Sequence, residues 1–196
     1  MTRRPHSNLA IALGANLGDP AASFVAVRPL LEASLEAWAG GPLQLSWSPR
    51  FRTAPVGGPP GQPPYLNAVL LVRRGDGAAR EASWPDPAGL LGRLQRLEAQ
   101  FGRERREHWG PRHLDLDLLW CGAIRCCSPE LVLPHPRLGE RAFVLAPLAA
   151  IDPDLLLPAA AGLAVSAADG LAALPLVPGE LPPLALAGGP GWPEGP

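Results

Sequence analysis

The chain has 196 residues, a formal net charge of −1 and a hydrophobic fraction of 47%. This length suits a single globular domain, and the balanced charge gives no reason to expect a nucleic acid or an anionic membrane as partner. The three cysteines lack paired spacing, which argues against a disulfide framework, and no apolar run is long enough for a membrane span, so we expect a cytoplasmic protein.

The first predicted unit is a strand followed by a helix. Residues 8–13 form a short apolar run typical of a buried strand, and the loop Gly-Ala-Asn-Leu-Gly-Asp follows it. Asp19 is a candidate N-cap with Pro20 at the first helical position, and the helix is predicted to end near Trp38. Pro29 lies inside it and predicts a kink or a restart. The apolar residues at helical spacing are Phe24, Val27, Leu30, Leu31 and Leu35.

Two further strands come next along the chain. Residues 43–52 predict a strand with a break at Pro49, and residues 65–73 predict another strand after a proline-rich loop. Tyr65 and Asn67 share one face of the later strand, because strand side chains alternate. An aromatic ring beside an amide suits a flat heterocycle, which stacks on the ring while the amide binds its edge. The alternative is a solvated start of the strand.

A second helix is predicted from Pro87 to Gly102, which would end it as a C-terminal glycine. Gln95 and Glu98 are one turn apart and share a face of this helix, either a solvated face or part of a binding site. The apolar stripe expected to face the core consists of Leu90, Leu91, Leu94, Leu97 and Phe101.

Residues 113–118 alternate strictly between polar and apolar, which predicts a strand with one buried face. Its leucines would face the core, and Asp115 and Asp117 would point the other way, roughly 6.6 Å apart. Two carboxylates held at that separation repel each other unless a cation lies beside them. Their oxygen atoms suit a hard divalent ion, with magnesium the first choice. The alternative is a solvated strand face.

Four arginines lie within the ten residues just before this strand. Arginines beside an acidic pair indicate an anionic ligand that also carries the metal, such as a polyphosphate nucleotide. Gly110 and Pro111 predict a turn that pre-positions the arginine following them. The first arginine opens a loop, and we expect it to reach the phosphates only when that loop closes. The four residues are Arg103, Arg105, Arg106 and Arg112.

The predicted elements follow the order β-α-β-β-α-β, with a further helix from about Glu140 to Ala150. This order predicts an α+β, ferredoxin-like split βαβ fold, with an antiparallel sheet and helices on one face. We expect one domain over residues 1–180. Residues 181–196 are rich in proline and glycine and are expected to form a disordered tail.

The segment His-Trp-Gly-Pro-Arg-His-Leu-Asp-Leu-Asp-Leu-Leu, residues 108–119, resembles the signature of the 6-hydroxymethyl-7,8-dihydropterin pyrophosphokinases, enzymes of folate synthesis. The Gly-Ala-Asn-Leu-Gly loop, the Tyr-Leu-Asn segment and Pro134-His135 resemble other parts of that family in the same order. The resemblance extends roughly from Ala10 to Leu155. His108 replaces a frequent arginine of the family, and Pro136 replaces a frequent tyrosine.

The resemblance implies transfer of pyrophosphate from ATP to 6-hydroxymethyl-7,8-dihydropterin, with release of AMP. It implies two Mg²⁺ ions, bound with ATP by Asp115 and Asp117, and catalytic roles for these aspartates and for Arg103 and Arg112. The implied ATP-binding residues are Gln95, Glu98, Arg105, Trp109, Arg112, His135 and Arg141. The implied pterin-binding residues are Thr53, Ala54, Pro55, Val56, Tyr65, Asn67 and Phe143.

Two other functions remain as alternatives at this point. A metal-dependent nucleotide-sugar transferase also uses an Asp-x-Asp sequence, and an RNA-binding module can use the ferredoxin-like fold. The first class is usually built on a doubly wound sheet, and the second requires a basic surface with exposed aromatic residues. We therefore expect an ATP-dependent pyrophosphokinase that acts as a monomer on small molecules, without nucleic-acid or membrane partners.

Overall fold

The structure is a computed structural model that describes residues 7–75, 83–103, 110–158, 165–175, 182–189 and 191–192. None of the helices described there combines the length and the apolar character that crossing a membrane requires. The helices are α1 (Pro20–Ala39), α2 (Pro87–Gln100), α3 (Ala142–Ile151) and α4 (Ala167–Ala172). The strands are β1 (Leu9–Ala15), β2 (Leu43–Trp47), β3 (Phe51–Thr53), β4 (Tyr65–Arg74), β5 (Asp115–Cys121), β6 (Cys126–Cys127), β7 (Val132–Leu133) and β8 (Leu184–Ala185).

The main sheet is antiparallel, with strands in the order β5-β1-β4-β3-β8. Strand β2 also pairs with β4, along the half of β4 that β3 leaves unpaired. Strands β2 and β3 therefore act as one strand that is interrupted around Pro49, as the sequence predicts. Strands β6 and β7 form a separate two-stranded sheet. The predicted α+β class with a ferredoxin-like antiparallel sheet is confirmed.

Helix α1 begins at its predicted cap, where Asp19 Oδ1 accepts a hydrogen bond from Ala22 N at 3.0 Å and Pro20 occupies the first turn. The helix continues through Pro29, so the restart predicted there does not occur. Leu30 is 45% exposed, and its assignment to the buried stripe is wrong. The residues that form this stripe, three or four positions apart, are Phe24, Val27, Leu31, Leu35 and Trp38.

The two faces of the sheet carry different helices. Helices α1 and α2 cover one face, where their leucines pack against Leu9, Ile11 and Leu13. Helices α3 and α4 cover part of the other face, around Val69 and Trp120. The prediction of helices on one face therefore holds for α1 and α2, which belong to the β-α-β-β-α-β unit. Helix α3 follows that unit and packs on the second face.

The described part of residues 181–196 is packed against the domain, in contrast to the expected disordered tail. Strand β8 pairs with β3, and Trp192 is 1% exposed among core residues. Two of the glycines that suggested disorder form a turn. Gly188 and Gly189 have φ values of 114° and 47°, which few other residues adopt without strain.

Candidate active site

Strand β5 presents the acidic pair as the alternating sequence predicts. Leu114, Leu116 and Leu118 are 0%, 3% and 4% exposed, while the side chains of Asp115 and Asp117 are 18% and 38% exposed. The leucines pack beneath α1 and α2, so the carboxylates lie on the opposite face of the sheet. The core thus fixes the backbone of both aspartates.

Three arginines surround these carboxylates. Arg103 Nη1 lies 2.8 Å from Asp115 Oδ1, Arg112 Nη1 forms an ion pair with Asp115 Oδ2, and Arg141 Nη1 lies 3.4 Å from Asp117 Oδ2. The sequence predicted that Arg103 would approach only on loop closure. Both Arg103 and Arg112 contact Asp115 in this structure, and the later approach of Arg103 to the phosphates stays a prediction.

The chemistry of the acidic pair fits a divalent cation. Asp115 Oδ1 is buried, and apart from its ion contact with Arg103 it accepts no well-directed hydrogen bond among the described residues. Burial raises the pKa of Asp117, and the neighbouring Asp115 carboxylate adds to the shift. Both observations indicate that oxygen atoms of these two carboxylates lack a full set of partners, which a cation would supply. In the described residues no cluster of three or more His, Cys, Asp or Glu could hold a metal, so other ligands would have to complete its coordination.

Glu98 connects helix α2 to this group of charges. It is 2% exposed, its Oε1 accepts a hydrogen bond from Leu116 N at 2.8 Å, and the same atom contacts Arg103 Nη1. Burial raises the pKa of Glu98 to about 7, although the Leu116 N–H and Arg103 oppose that shift. Glu98 therefore holds Arg103 against Asp115 and anchors the start of β5.

A cavity of about 360 Å³ opens beside Glu98. The exposed Gln95 and the buried Glu98 both line it, so the helix face predicted from their spacing borders this cavity. Its volume lies within the range of small-molecule sites. The other lining residues are Leu91, Arg103, Leu116, Asp117, Pro129 and Glu130.

Gly14 lies between the acidic pair and the predicted heterocycle platform. It pairs with Asn67 of β4 on one side and with Asp115 of β5 on the other. A Cβ atom at Gly14 would lie 3.3 Å from Asn67 Oδ1 and 3.9 Å from both Asp115 Cβ and Tyr65 Cδ1. The absent side chain leaves space between the two groups. The sequence predicted Gly14 only as the start of the loop after the first strand, whereas it lies within β1.

Asn67 and Thr53 form the buried part of the platform. Asn67 Nδ2 donates a hydrogen bond to Thr53 Oγ1 at 2.7 Å, and the two residues are 4% and 8% exposed. Tyr65 stands at the start of β4, where its hydroxyl donates to Gly110 O at 3.3 Å. Burial raises the pKa of Tyr65. The loop after β3 carries the remaining predicted residues, of which Ala54 and Pro55 are half-buried and Val56 is exposed.

The side of the acidic pair nearest helix α3 carries His135, Arg141 and Phe143. The Arg141 guanidinium lies 5.4 Å from the centre of the Phe143 ring, and Arg141 occupies the N-cap position of α3. His135 Nδ1 accepts a hydrogen bond from Arg137 N at 3.1 Å, so the neutral ring carries its proton on Nε2. Burial lowers the pKa of His135 to about 4, and the guanidinium groups of Arg141 and Arg137 add to the effect.

Asn16 is a positioning residue that the sequence analysis did not single out. It is 4% exposed, and its Oδ1 accepts a hydrogen bond from Arg112 N at 2.8 Å. Its Nδ2 donates to Pro63 O at 3.2 Å, in the loop before Tyr65. Asn16 N and Leu17 N both donate to Arg112 O. The sequence feature that could have indicated this role is the asparagine in the Gly-Ala-Asn-Leu-Gly loop. The Asn16 amide joins the turn before β5 to the loop before β4.

Two predicted ATP-binding residues, Arg105 and Trp109, lie outside the described residues. The described residues nevertheless form two adjoining groups. One contains carboxylates and guanidinium groups suited to a metal-bound polyphosphate, and the other contains an aromatic ring and a buried amide suited to a heterocycle. Such an arrangement can bring a phosphate donor and a heterocyclic acceptor together.

Residues 10–153 match the family described as 7,8-dihydro-6-hydroxymethylpterin-pyrophosphokinase. The chain belongs to this family. As a member of the 7,8-dihydro-6-hydroxymethylpterin-pyrophosphokinases, it is an ATP-binding transferase of folate biosynthesis. The prediction of a pyrophosphokinase is thereby confirmed in preference to a nucleotide-sugar transferase or an RNA-binding module.

Curated relatives of this pyrophosphokinase come from distant organisms. The 2-amino-4-hydroxy-6-hydroxymethyldihydropteridine pyrophosphokinase of Pseudomonas aeruginosa is 39% identical over 150 residues, covering 76% of this chain and 82% of the relative. Its namesake from Haemophilus influenzae is 36% identical over 152 residues, with 76% and 83% covered. The folate synthesis bifunctional protein, mitochondrial, of Arabidopsis thaliana is 38% identical over 138 residues, covering 70% of this chain and 22% of that protein.

Proposed function

We propose that this chain transfers pyrophosphate from ATP to the hydroxymethyl group of 6-hydroxymethyl-7,8-dihydropterin, using the two adjoining groups as its ATP and pterin sites. The observation that supports this assignment is the row Asp115-Gly14-Asn67 across three neighbouring strands. Strands lie about 4.8 Å apart, so the acidic pair and the platform are separated by roughly 10 Å. That span accommodates a triphosphate whose β-phosphorus lies beside the acceptor.

On the phosphate side, Asp115 and Asp117 would hold two Mg²⁺ ions together with the ATP oxygens. When bound, these ions would neutralise phosphate charge and polarise the β-phosphoryl group. With ATP in the site, Arg103 and Arg112 turn from Asp115 to the β- and γ-phosphates. Their planar guanidinium groups suit the paired oxygens of a phosphate better than a lysine ammonium would.

The remainder of the ATP site follows from the cavity and from His135. Gln95 and Glu98 line the cavity beside Asp117 and contact the nucleotide. His135 is neutral at physiological pH and donates from Nε2 to a phosphate oxygen, while Arg141 supplies a full positive charge nearby. We also assign ATP contacts to Arg105 and Trp109 on the basis of the family signature alone.

On the pterin side, Tyr65 and Phe143 stack on the ring, and Asn67 binds its edge with Thr53 and the main chain of residues 54–56. The hydroxymethyl oxygen then attacks the β-phosphorus and loses its proton to solvent, the bond from that phosphorus to the α,β-bridging oxygen breaks, and AMP leaves. Holding both reactants at neighbouring strands supplies the orientation that a bimolecular reaction in water lacks.

A product assay tests this proposal. The protein is incubated with ATP, Mg²⁺ and 6-hydroxymethyl-7,8-dihydropterin, and the nucleotide products are separated by chromatography. Formation of AMP and pterin diphosphate in equal amounts is the expected result, with omission of the pterin as the control. ADP as the nucleotide product, or AMP formation that does not depend on the pterin, would contradict the proposal.

A monomeric state and a cytoplasmic location stay predictions, and one relative is named mitochondrial.

A further inference from the structure

The C-terminal strap, which we define as the segment from Leu184 to Trp192, attaches to the strand that supports the pterin side. Strand β8 lies against the free edge of β3, with Phe51 opposite Ala185 and Arg52 opposite Leu184. Leu186 N extends the pairing by donating to Arg50 O at 2.8 Å. Without the strap, β3 would be a three-residue strand at the edge of the sheet, a position that frays easily.

The strap has a second attachment at Trp192. This side chain is 1% exposed, its ring centre lies 5.6 Å from that of Phe24 in a stacked arrangement, and it meets Trp47 edge-on at 4.8 Å. Its Nε1 donates to Ser48 O at 2.8 Å. Trp192 therefore ties the chain just before β3 to helix α1.

Arg28 of α1 strengthens the second attachment. Its guanidinium carbon lies 4.9 Å from the ring centre of Trp47 and 5.4 Å from that of Trp192. Its Nη1 also donates to Gly191 O at 3.0 Å. Glu32 completes the group, because its Oε1 accepts hydrogen bonds from Arg28 Nε at 3.1 Å and from Trp47 Nε1 at 2.9 Å. These contacts join the strap, α1 and β2 into one partly buried cluster.

The two attachments flank the part of the chain that leads into the pterin side. Trp192 holds Ser48, and β8 holds Arg50 to Arg52, immediately before Thr53. Thr53 accepts the hydrogen bond from Asn67 and opens the loop that carries the assigned main-chain contacts. A small displacement of β3 would shift Thr53 relative to Asn67, whereas the acidic pair on β5 lies on the far side of β1 and β4.

We propose that the C-terminal strap is a positioning element for pterin binding, holding β3 and Thr53 in the geometry that the pterin edge requires. This inference rests on the proposed function, since it concerns the pterin site assigned there. It goes beyond the family match, because the strap lies after the matched range of residues 10–153. Among the described residues, the pairing, hydrogen bonds and ring contacts of the strap involve none of those assigned to ATP or metal, so we expect its effect to be selective for one substrate.

Two disruptive variants and two milder ones test the proposal. Trp192→Ala removes the buried ring, and Leu186→Pro removes the N–H that donates to Arg50 O. Trp192→Phe keeps an aromatic ring but loses the hydrogen bond to Ser48 O, and it remains measurable if the alanine variant does not fold. Leu184→Ala is the matched control within the strap, because Leu184 is 60% exposed.

We expect the disruptive variants to raise the KM for the pterin about 3- to 30-fold, the range of couplings transmitted through packed networks. The KM for ATP and the ATP affinity without pterin should change less than about twofold. Trp192→Phe should show a smaller rise of the same kind, and Leu184→Ala none. Equal increases in both KM values, or a lower thermal midpoint with unchanged KM values, would overturn the positioning role and leave only a structural one.

Amide hydrogen exchange provides a readout that does not depend on turnover. Trp192→Ala and Leu186→Pro should accelerate exchange in peptides covering β3, with peptides from α2 and β5 unchanged. Unaltered exchange in β3 would overturn the proposal. If the unmodified chain forms no AMP, the proposed function fails, and the exchange experiment still decides whether the strap orders β3.

Discussion

The residues that we propose for the phosphate side and for the pterin side of the site are held in place by different forces. Around Asp115 the contacts are between full charges, with Arg103 and Arg112 on the two oxygens of one carboxylate. Around Asn67 they are between neutral groups, with a buried amide and hydroxyl at 2.7 Å. Charged contacts in this setting can be exchanged for others of equal strength when a metal and a polyphosphate bind. The hydrogen bond between Asn67 and Thr53 is not exchanged in this way. We therefore expect the pterin side to have the same geometry before and after its ligand binds.

This contrast predicts how each side responds to substitution. Changes on the phosphate side should alter both the stability of the ligand-free protein and the rate of phosphoryl transfer, because the same groups serve both. Changes on the pterin side should mainly alter the affinity for one substrate. The following predictions test the contrast, beginning with the largest expected effect.

Asp115→Asn and Asp117→Asn should each lower turnover by at least about 10³-fold, since each removes a charge from the clamp on the triphosphate. Their effects on stability should differ. Asp115→Asn leaves two guanidinium groups without their carboxylate and should lower the free energy of unfolding by about 1 to 3 kcal/mol. Asp117→Asn should leave it unchanged or slightly higher, because burial and the Asp115 charge already disfavour ionised Asp117.

Steady-state turnover and urea unfolding without Mg²⁺ measure these two quantities. Equal loss of stability in the two variants would contradict the asymmetry between the aspartates. Near-normal turnover in either variant would contradict its role as a metal ligand.

The arginines give the next largest effect. Arg103→Ala and Arg112→Ala should each lower the single-turnover rate by about 10²- to 10³-fold, the usual cost of losing one charge-stabilising donor. Glu98→Gln is the matched test of positioning, because it keeps an acceptor for Leu116 N but weakens the contact that holds Arg103. We expect a loss of about 10-fold in that rate with unchanged secondary structure. A Glu98→Gln variant with full activity would show that Arg103 is positioned by other contacts.

The sequence predicted those features of the site that depend only on residues close together in the chain. The alternation of Leu114, Asp115, Leu116 and Asp117 identified both the strand and its acidic face, because a strand's side chains are directed by its own backbone. Tyr65 and Asn67 were placed on β4 by the same argument.

The contacts that the sequence did not reveal are made between distant segments. The Asn16 amide joins residues 46 to 96 positions away, and Trp192 contacts Ser48 across 144 positions. No local periodicity encodes such pairs. The proline and glycine content of the C-terminal strap led to the prediction of a disordered tail. Trp192 instead anchors the strap in the core, and an average composition is insensitive to a single residue.

On the pterin side, Tyr65→Ala and Phe143→Ala should each weaken pterin binding by about 1 to 3 kcal/mol, the range for stacking of a base on an aromatic side chain. ATP affinity should remain within about twofold. Tyr65→Phe is the control, since it keeps the ring and loses only the hydroxyl that donates to Gly110 O. Fluorescence titration with the pterin measures the affinity. Pterin binding that survives both alanine changes would place the pocket elsewhere.

The smallest expected effect concerns His135 and the pH dependence of stability. Its pKa is lowered to about 4 in the folded protein by burial and by the guanidinium groups of Arg141 and Arg137, while an unfolded histidine has a pKa of about 6.5. Between these values the unfolded chain binds more protons at this residue than the folded protein does. The residue therefore makes stability rise with pH from about 4 to about 6.5 and remain level above that range.

Replacing His135 with glutamine should flatten that part of the curve, reducing the change in unfolding free energy between pH 4 and pH 6.5 by roughly 1 to 3 kcal/mol. Urea unfolding at several pH values, compared between the unmodified protein and His135→Gln, measures the difference directly. His113→Gln is the matched control, because His113 lies just before the acidic strand and carries the same kind of ring. Parallel curves for the unmodified protein and His135→Gln would show that the fold does not lower the pKa of His135.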